Sequence, residues 1–436
     1  DGKYLLQATV RRDGSSRLSS GNHWDWFPSF SAGWRIDKEN FFNVDHNLVS
    51  LLKLRASYGI LGNENIGEYQ YMDTMARGNY TYSFGGNKVT GSAISNYVNT
   101  AIHWEKKKTL DIGLDYAMFG GKLEFTADWY HANSEDLLYS VAVPAEAGAT
   151  NVDVTMNAAS MLNTGLEFSA AYHNYDRDFK YDISANVTLP KNKVTALGIS
   201  GEGRTDGFCR TEVGEEVGRF YGYVYEGIYT SQEQIAAHAE QNGAQVGDAA
   251  FKDLNGDNEI TDQDRTFIGS GMPDVQAGLS ARFEYKGFDL SISTYGAFGY
   301  QVVDYVDMML HNSYGLYNKS VDLLDAWTPD NSSSEIPAVY FKNAGSITND
   351  MFCERQLQSG NYWKIANVEL GYNFKDKLFG GYFSNVRLYV SGQNLATISK
   401  YRGYNIDFAG GTFTPGYNYC SYPAPVTVML GAKLSF

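Results

Sequence analysis

The feature that most constrains the fold is an alternation of apolar and polar residues that recurs over segments of about ten residues. In one segment, the apolar face carries Leu52, Leu54, Ala56, Tyr58 and Ile60, and the polar face carries Lys53, Arg55, Ser57 and Gly59. The pattern occurs in residues 4–12, 29–36, 52–60, 110–118, 123–129, 166–172, 179–187, 275–283, 288–298, 366–374, 386–390 and 426–436. Because a period of two puts neighbouring side chains on opposite faces of a strand, the sequence predicts about twelve strands.

The length and the two faces of these segments favour strands that cross a membrane. A spanning strand needs about 9–11 residues, with lipid on one face and a polar lumen on the other. Charged residues such as Lys53, Arg55, Asp111 and Asp115 recur on the polar face, where they are expected to line the lumen. A soluble sandwich would also alternate, so two further features decide between the two folds.

The first feature is that short and long connections alternate along the chain. The short ones are residues 119–121, 173–179, 285–287 and 375–384, and the long ones are 62–107, 132–162, 190–274, 299–361 and 395–424. This asymmetry is typical of outer-membrane barrels, whose periplasmic turns are short and whose extracellular loops are long. One short-side connection, residues 37–50, fits less well and is predicted to form a single helical turn.

The second feature is the placement of aromatic residues, which make up 15% of the chain. Many are expected at strand ends, where girdles form at membrane interfaces: Trp34, Tyr58, Tyr116, Trp129, Tyr172, Phe283 and Phe374. The sequence therefore predicts an all-β fold, a transmembrane antiparallel β-barrel. With the short turns in the periplasm, the last strand ends at a periplasmic carboxylate on Phe436, as outer-membrane barrels characteristically end.

Charge and cysteine content exclude other classes of protein. A formal net charge of −15 argues against nucleic-acid binding, which requires a basic surface. The three cysteines, Cys209, Cys353 and Cys420, are too few for a disulfide framework or a zinc site, and one bridge or none is expected. No signal peptide precedes the first strand, so we expect upstream residues that this chain does not include.

Residues 253–264 have the spacing of an EF-hand-like calcium loop. The candidate ligands are Asp253, Asn255, Asp257, the backbone carbonyl of Glu259, and Asp264, at positions 1, 3, 5, 7 and 12. Position 6 is Asn258 where glycine is usual, and the aspartate at position 12 reaches less far than glutamate. The calcium would be structural and would order the long loop 190–274; the alternative is a solvated acidic loop.

Two tyrosine-rich stretches, residues 220–229 and 401–422, could contact a substrate, because exposed rings can stack on sugar faces. The candidates are Tyr221, Tyr223, Tyr404 and Tyr417. The alternative is that these tyrosines pack the loops together and contact a partner protein.

Catalysis finds no support in the sequence. The seven histidines are scattered, and neither a Gly-x-Ser-x-Gly elbow nor a His-Glu-x-x-His motif occurs. Asp111 and Asp115 lie about 13 Å apart along a strand, too far for a shared-proton pair. We therefore predict that the protein is not an enzyme.

Five blocks in combination resemble the SusC/RagA-type TonB-linked outer-membrane proteins of Bacteroidota. They are Leu52–Gly59 with Gly62-Asn63, Trp104–Gly113 with Asp115, Asn163–Glu167, the set Asp253–Asp257, Asp262–Arg265 and Ile268-Gly269, and Ser391–Leu395. The resemblance covers the chain from end to end.

The resemblance implies that residues 1–436 are the C-terminal portion of a 22-stranded barrel, with the plug domain and TonB box upstream. It implies import of oligosaccharides or peptides driven by TonB, with a SusD-like lipoprotein as a lid and with dimers of transporter–lipoprotein pairs. The barrel would contact outer-membrane lipid and keep its long loops outside the cell. The alternative is a passive porin or a surface adhesin barrel.

Overall fold

The structure is a computed structural model that describes most of the chain in nine stretches. These are residues 2–73, 75–94, 98–142, 153–198, 203–312, 318–340, 349–374, 383–408 and 410–435. The chain divides into two compact units, residues 1–171 with 190–203 and 212–215, and residues 172–189 with 204–211 and 216–436. Among the described residues, no helix combines the length and apolar character that crossing a membrane would need.

The first eight strands are β1 (Tyr4–Gly14), β2 (Trp24–Arg35), β3 (Val49–Asn63), β4 (Met75–Phe84), β5 (Asn87–Ile94), β6 (Glu105–Met118), β7 (Leu123–Ala142) and β8 (Asp153–Asn174). A 3-10 turn, Ile36–Lys38, follows β2 and confirms the predicted helical turn. It is held by Asp37, a buried residue whose carboxylate accepts hydrogen bonds from the Arg35 guanidinium at 2.7 and 2.8 Å. These bonds lower the pKa of the Asp37 carboxyl.

The later strands alternate between long strands and short strands within loops. They are β9 (Phe179–Leu197), β10 (Arg204–Asp206), β11 (Cys209–Thr211), β12 (Arg219–Tyr223), β13 (Tyr225–Ile228), β14 (Glu240–Gln241), β15 (Ala249–Phe251), β16 (Glu259–Ile260), β17 (Arg265–Gly269), β18 (Val275–Tyr285), β19 (Phe288–Phe298), β20 (Gln301–Asp304), β21 (Leu357–Ser359), β22 (Tyr362–Phe374), β23 (Asn385–Ser399), β24 (Tyr417–Asn418) and β25 (Thr427–Ser435). The α-helices found in the nine described stretches are short, α1 (Gln232–Ala237) and α2 (Tyr305–His311). Further 3-10 turns are Asp262–Asp264, Val321–Asp325 and Glu354–Gln356.

Twelve strands belong to the main antiparallel sheet, which confirms the predicted number. The order up to residue 174 is β1-β2-β3-β6-β7-β8, and the order from residue 179 is β9-β18-β19-β22-β23-β25. Neighbours in the sheet are thus consecutive long strands of the chain. The register is regular where strands meet through short turns, as between β6 and β7, where Met118 pairs with Leu123 and Lys106 with Glu135.

The two faces of these strands are the reverse of those in a soluble sheet. Apolar side chains are exposed: Leu6 is 74% exposed and Leu430 is 87% exposed. Charged side chains on the opposite face are protected, so that Asp115 and Asp128 are only 18% and 14% exposed. Water would penalise such a surface, whereas lipid around the apolar face would stabilise it.

Aromatic rings gather where the strands of the second unit join through short turns. Contacting rings, with centroids 4.7–6.2 Å apart, are Phe179, Phe283, Tyr285, Phe288, Tyr372 and Phe374. Phe283 and Phe374 therefore lie in a girdle-like band, as predicted. Tyr58 and Trp129 instead lie well inside strands that are longer than the sequence indicated.

The long connections of the second unit are packed rather than extended. Three buried clusters hold them together: Tyr223, Ala249, Phe251, Ile260 and Cys353; Cys209, Phe220, Val303 and Phe352; and Ala297, Val302, Tyr362 and Ile406. Small sheets join segments that are distant in sequence, since β20 pairs with both β21 and β24. We call this loop-derived part of the second unit the loop assembly.

Several predicted boundaries are wrong. Loop 190–274 begins later, because β9 continues to Leu197. Loop 132–162 is shortened from both sides by β7 and β8, and loop 62–107 contains the hairpin β4–β5. The predicted terminal aromatic, Phe436, and most of the turn 375–384 lie outside the described residues.

Candidate functional site

The acidic loop 253–264 forms a compact turn in the loop assembly. Gly256 and Asn258 both have positive φ, at 77° and 69°, so asparagine takes the left-handed backbone where the calcium pattern has glycine. Ile260 is buried and anchors the loop in the cluster with Phe251. Asn258 thus takes the left-handed backbone that its position requires, and the Ile260 side chain fixes the end of the loop in the core.

The carboxylates at the two ends of the loop accept hydrogen bonds from its backbone. Asp253 accepts from the N–H groups of Gly256 at 2.7 Å and Asn258 at 2.9 Å. Asp264, which has no exposed surface, accepts from Leu254 at 2.9 Å and Thr261 at 2.7 Å. Burial opposes ionisation of Asp264, but these backbone amides outweigh it and lower the pKa of its carboxyl.

The middle of the loop is organised in the same way. Asn255 accepts from the N–H of Asp257, and Asp257 accepts from the N–H of Glu259, each at 2.9 Å. A carboxylate oxygen can accept more than one hydrogen bond, so these amides leave capacity for a cation. However, no three His, Cys, Asp or Glu side chains in the described part of the chain are grouped so that they could hold a metal ion. Calcium binding therefore stays a prediction.

The four candidate substrate tyrosines differ in exposure. Tyr404 is 73% exposed, whereas Tyr223 is 3% exposed and donates its hydroxyl to Asp262 at 3.2 Å. Burial raises the pKa of Tyr223, and it raises that of Tyr417 to about 12. Tyr221 lies between the guanidinium groups of Arg210 and Arg265, each 5.1 Å from its ring centre.

In these environments, some of the tyrosines pack inside the loop assembly and one is accessible to a ligand. Tyr223 packs on Phe251 and Tyr417 on Phe208, so both stabilise the loop assembly, as the alternative interpretation held. Tyr404 presents an accessible ring. Contact with a substrate stays a prediction for all four.

All three cysteines are free thiols. Cys209 and Cys353 are buried, and burial raises their pKa values to about 12 and about 11. Cys420 is exposed. The open question of a bridge is thus answered: none of these cysteines is paired.

A charge network on the protected face of β3, β6 and β7 was only partly visible in the sequence. Arg55 makes ion pairs with Asp111 at 3.3 Å, Asp115 at 2.9 Å and Asp128 at 2.6 Å. The sequence placed the aspartates on one face but did not reveal that one arginine joins them. The sequence feature that could have indicated this network is Gly113, which lies between Asp111 and Asp115 on the same strand. An added Cβ at Gly113 would lie 2.2 Å from an oxygen of Asp128, so the network needs a glycine here.

A second network joins β19, β22 and β23 in the second unit. Arg387 donates to Asp289 through Nε at 3.0 Å and to Glu369 at 2.6 Å. Each network pairs an arginine with carboxylates on the protected face of its own unit. Neither of them combines a nucleophile with a base.

An antiparallel sheet with an exposed apolar face, a protected charged face and an aromatic band defines the wall of a membrane-spanning β-barrel. A comparison with models of known protein families identifies the family to which this barrel belongs. The chain belongs to the family described as TonB dependent receptor-like, beta-barrel, whose model matches residues 1–395. This is a transport family of outer-membrane barrels, not a family of enzymes.

Relatives and solved structures agree with this family. The chain is 32% identical to TonB-dependent receptor P3 of Formosa agariphila and 31% identical to TonB-dependent receptor SusC of Bacteroides thetaiotaomicron, over its whole length. It covers 44% and 42% of those receptors, so it spans less than half of each. A structure of the RagAB peptide transporter matches all of the chain, and 46% of the transporter chain, with 26% identity and a TM-score of 0.82. The SusC/RagA resemblance is therefore confirmed.

Proposed function

We propose that this chain is the C-terminal barrel portion of a TonB-driven outer-membrane importer of oligosaccharides or peptides. The observation that carries the proposal is the match of a membrane-barrel wall to the TonB-dependent receptor family over residues 1–395. The long loops would face the outside of the cell and the C-terminus the periplasm.

The partners follow from the same family. TonB would act through an upstream plug, and a SusD-like lipoprotein would cover the loop assembly from outside. The solved structure of RagAB, a peptide transporter, supports a partnered arrangement for a chain of similar fold. Dimers of such transporter–lipoprotein pairs are part of the same proposal.

The barrel itself would supply a rigid and polar wall. The Arg55 and Arg387 networks pair opposite charges on the protected faces, so that each arginine offsets part of the carboxylate charge around it. The family match favours driven import over a passive porin or an adhesin.

The proposal is tested by deleting the full-length gene and growing the strain on separate glycans and peptides. We expect lost growth on at least one source, restored by the gene only when TonB is functional. Restoration without TonB would contradict driven import and indicate a porin. Normal growth of the deletion strain on every source would contradict import altogether.

A further inference from the structure

The second unit contains a cavity of about 680 Å³ that none of the predicted sites includes. Its size falls in the range of small-ligand sites, about 300–1,000 Å³. The walls come from β13, α2, the 3-10 turn Val321–Asp325 and the segment 332–336. All of these elements belong to the loop assembly, which we propose to face the substrate.

One wall of the cavity is accessible main chain. β13 pairs with β15 along one edge, and Gly227 of β13 lines the cavity. Gly227 has φ +127°, and no atom lies within 4 Å of the position that a Cβ would take. A side chain is disfavoured at this φ, so the backbone at Gly227 stays open to a ligand.

The cavity contains charges of both signs held in fixed positions. His311 has its Nδ1 2.8 Å from the carbonyl oxygen of Asp307 and its Nε2 3.1 Å from the carboxylate of Asp322. Arg402 donates to the Asp307 carboxylate at 2.9 Å. These contacts orient the charged groups before any ligand arrives, which lowers the entropy cost of binding.

Among the lining residues that the structure describes, carboxylates outnumber guanidinium groups. The carboxylates are Asp307, Asp322, Glu335 and Asp350, and the guanidinium groups are Arg355 and Arg402. An anionic polysaccharide would meet an excess of like charge here. Among the described lining residues, a neutral glycan would find one aromatic ring, Tyr225, with the Arg355 guanidinium 5.8 Å from its centre.

We propose that this cavity is a subsite for oligopeptides that carry a positive charge, namely an amino terminus or a lysine or arginine side chain. Glu335 and Asp322 attract the cation, and the Arg355 guanidinium donates hydrogen bonds to a carboxylate of the same peptide. The open backbone at Gly227 hydrogen-bonds the peptide main chain. This inference rests on the proposed function and narrows its substrate class from oligosaccharides or peptides to peptides.

The test is isothermal titration calorimetry on the purified full-length transporter, which needs no TonB. The probes are the tetrapeptides Ala-Lys-Ala-Lys and Ala-Glu-Ala-Glu, each with a capped amino terminus and a free terminal carboxylate, together with maltotetraose and an oligogalacturonate. We expect the lysine peptide to bind at least about tenfold more tightly than each other probe. Equal affinity for the two peptides, tighter binding of a glycan, or no binding of any probe would overturn the inference.

Substitutions of the lining carboxylates test whether the lysine peptide binds in this cavity. Glu335→Gln combined with Asp322→Asn should weaken the lysine peptide about tenfold, while Asp330→Asn, an exposed change outside the cavity, should leave affinity unchanged. Thermal melting of each variant checks folding, and Glu335→Gln alone, at an exposed position, serves if the double variant melts early. Unchanged affinity in a folded Glu335 variant would overturn the assignment. If the titrations contradict the subsite while growth still depends on TonB, the subsite is rejected and the import proposal is unaffected.

Discussion

At the scale of single residues, the buried carboxylate of Asp264 organises the acidic loop. It joins the two ends of the loop through the N–H groups of Leu254 and Thr261. The sequence identified this residue from its spacing to Asp253, but as a metal ligand. Its backbone role could not be predicted, because many loop conformations satisfy the same spacing.

Replacing Asp264 with Asn should loosen this loop by about 1–3 kcal/mol, since a charged acceptor of several amides is lost. Limited proteolysis of the full-length protein, read at residues 253–264, measures the effect. Glu259→Gln, an exposed change in the same loop, is the matched control. Equal cleavage of the two variants would contradict the role assigned to Asp264.

The same carboxylate predicts a pH dependence. Because its pKa is lowered in the folded loop, the stability it contributes is fully present above the ordinary aspartate pKa of about 3.9. That stability is lost as the pH falls through the lowered pKa. Cleavage of the loop by an acid protease should therefore rise below about pH 3.9 in the unmodified protein. It should rise less in the Asp264→Asn variant, which has already lost the charge.

Calcium, if it binds at Asp253, Asn255, Asp257, the Glu259 carbonyl and Asp264, should protect the loop further. Adding calcium to chelator-treated protein should slow cleavage within residues 253–264, and Asp257→Asn should reduce that protection. Magnesium is the control, because it requires a tighter octahedral site. Identical cleavage with calcium and with chelator would reject the metal site.

At the scale of elements, the sequence predicted the apolar core of each long strand but not its full extent. β7, β8 and β9 have 20, 22 and 19 residues, and their outer parts contain polar residues on both faces. Hydrophobic alternation fades there, so the sequence offers no signal. The small sheets of the loop assembly were also invisible, because pairs such as Phe220 and Gly269 are distant in sequence.

The last long loop is fastened to β19 and β22 by an ion pair between a buried lysine and a partly exposed aspartate. Lys364, whose side chain is 7% exposed, donates to Asp407 at 3.0 Å, and Asp407 also accepts from the Tyr295 hydroxyl. Ile406 beside it packs against Tyr362. These contacts hold the loop against β19 and β22.

Replacing Lys364 with Met should remove the cation that faces Asp407 and destabilise the loop by about 1 kcal/mol, since water partly solvates the aspartate. Hydrogen exchange across residues 401–408 should then increase. The double variant Lys364→Met with Asp407→Asn should exchange less than the single variant, because no unpaired carboxylate remains. If exchange in the single variant equals that of the unmodified protein, the ion pair does not fasten the loop.

At the scale of the whole molecule, a membrane wall requires that the apolar face of the strands meets lipid. Sequence alternation alone did not distinguish a membrane barrel from a soluble sheet. The structure adds the decisive contrast, since Leu388 is 48% exposed while Ser391, on the other face of β23, is 4% exposed. That contrast and the family match together place the chain in a membrane wall.

Site-directed spin labelling along β23 tests this claim most directly. Nitroxides are placed singly at Leu388, Tyr389 and Val390 of the full-length transporter in lipid vesicles, with the exposed Cys420 replaced by serine. We predict that oxygen, which dissolves in lipid, enhances the relaxation of the labels at 388 and 390. A water-soluble nickel chelate should enhance the relaxation of the label at 389. Equal access of the chelate to all three positions would contradict a membrane wall.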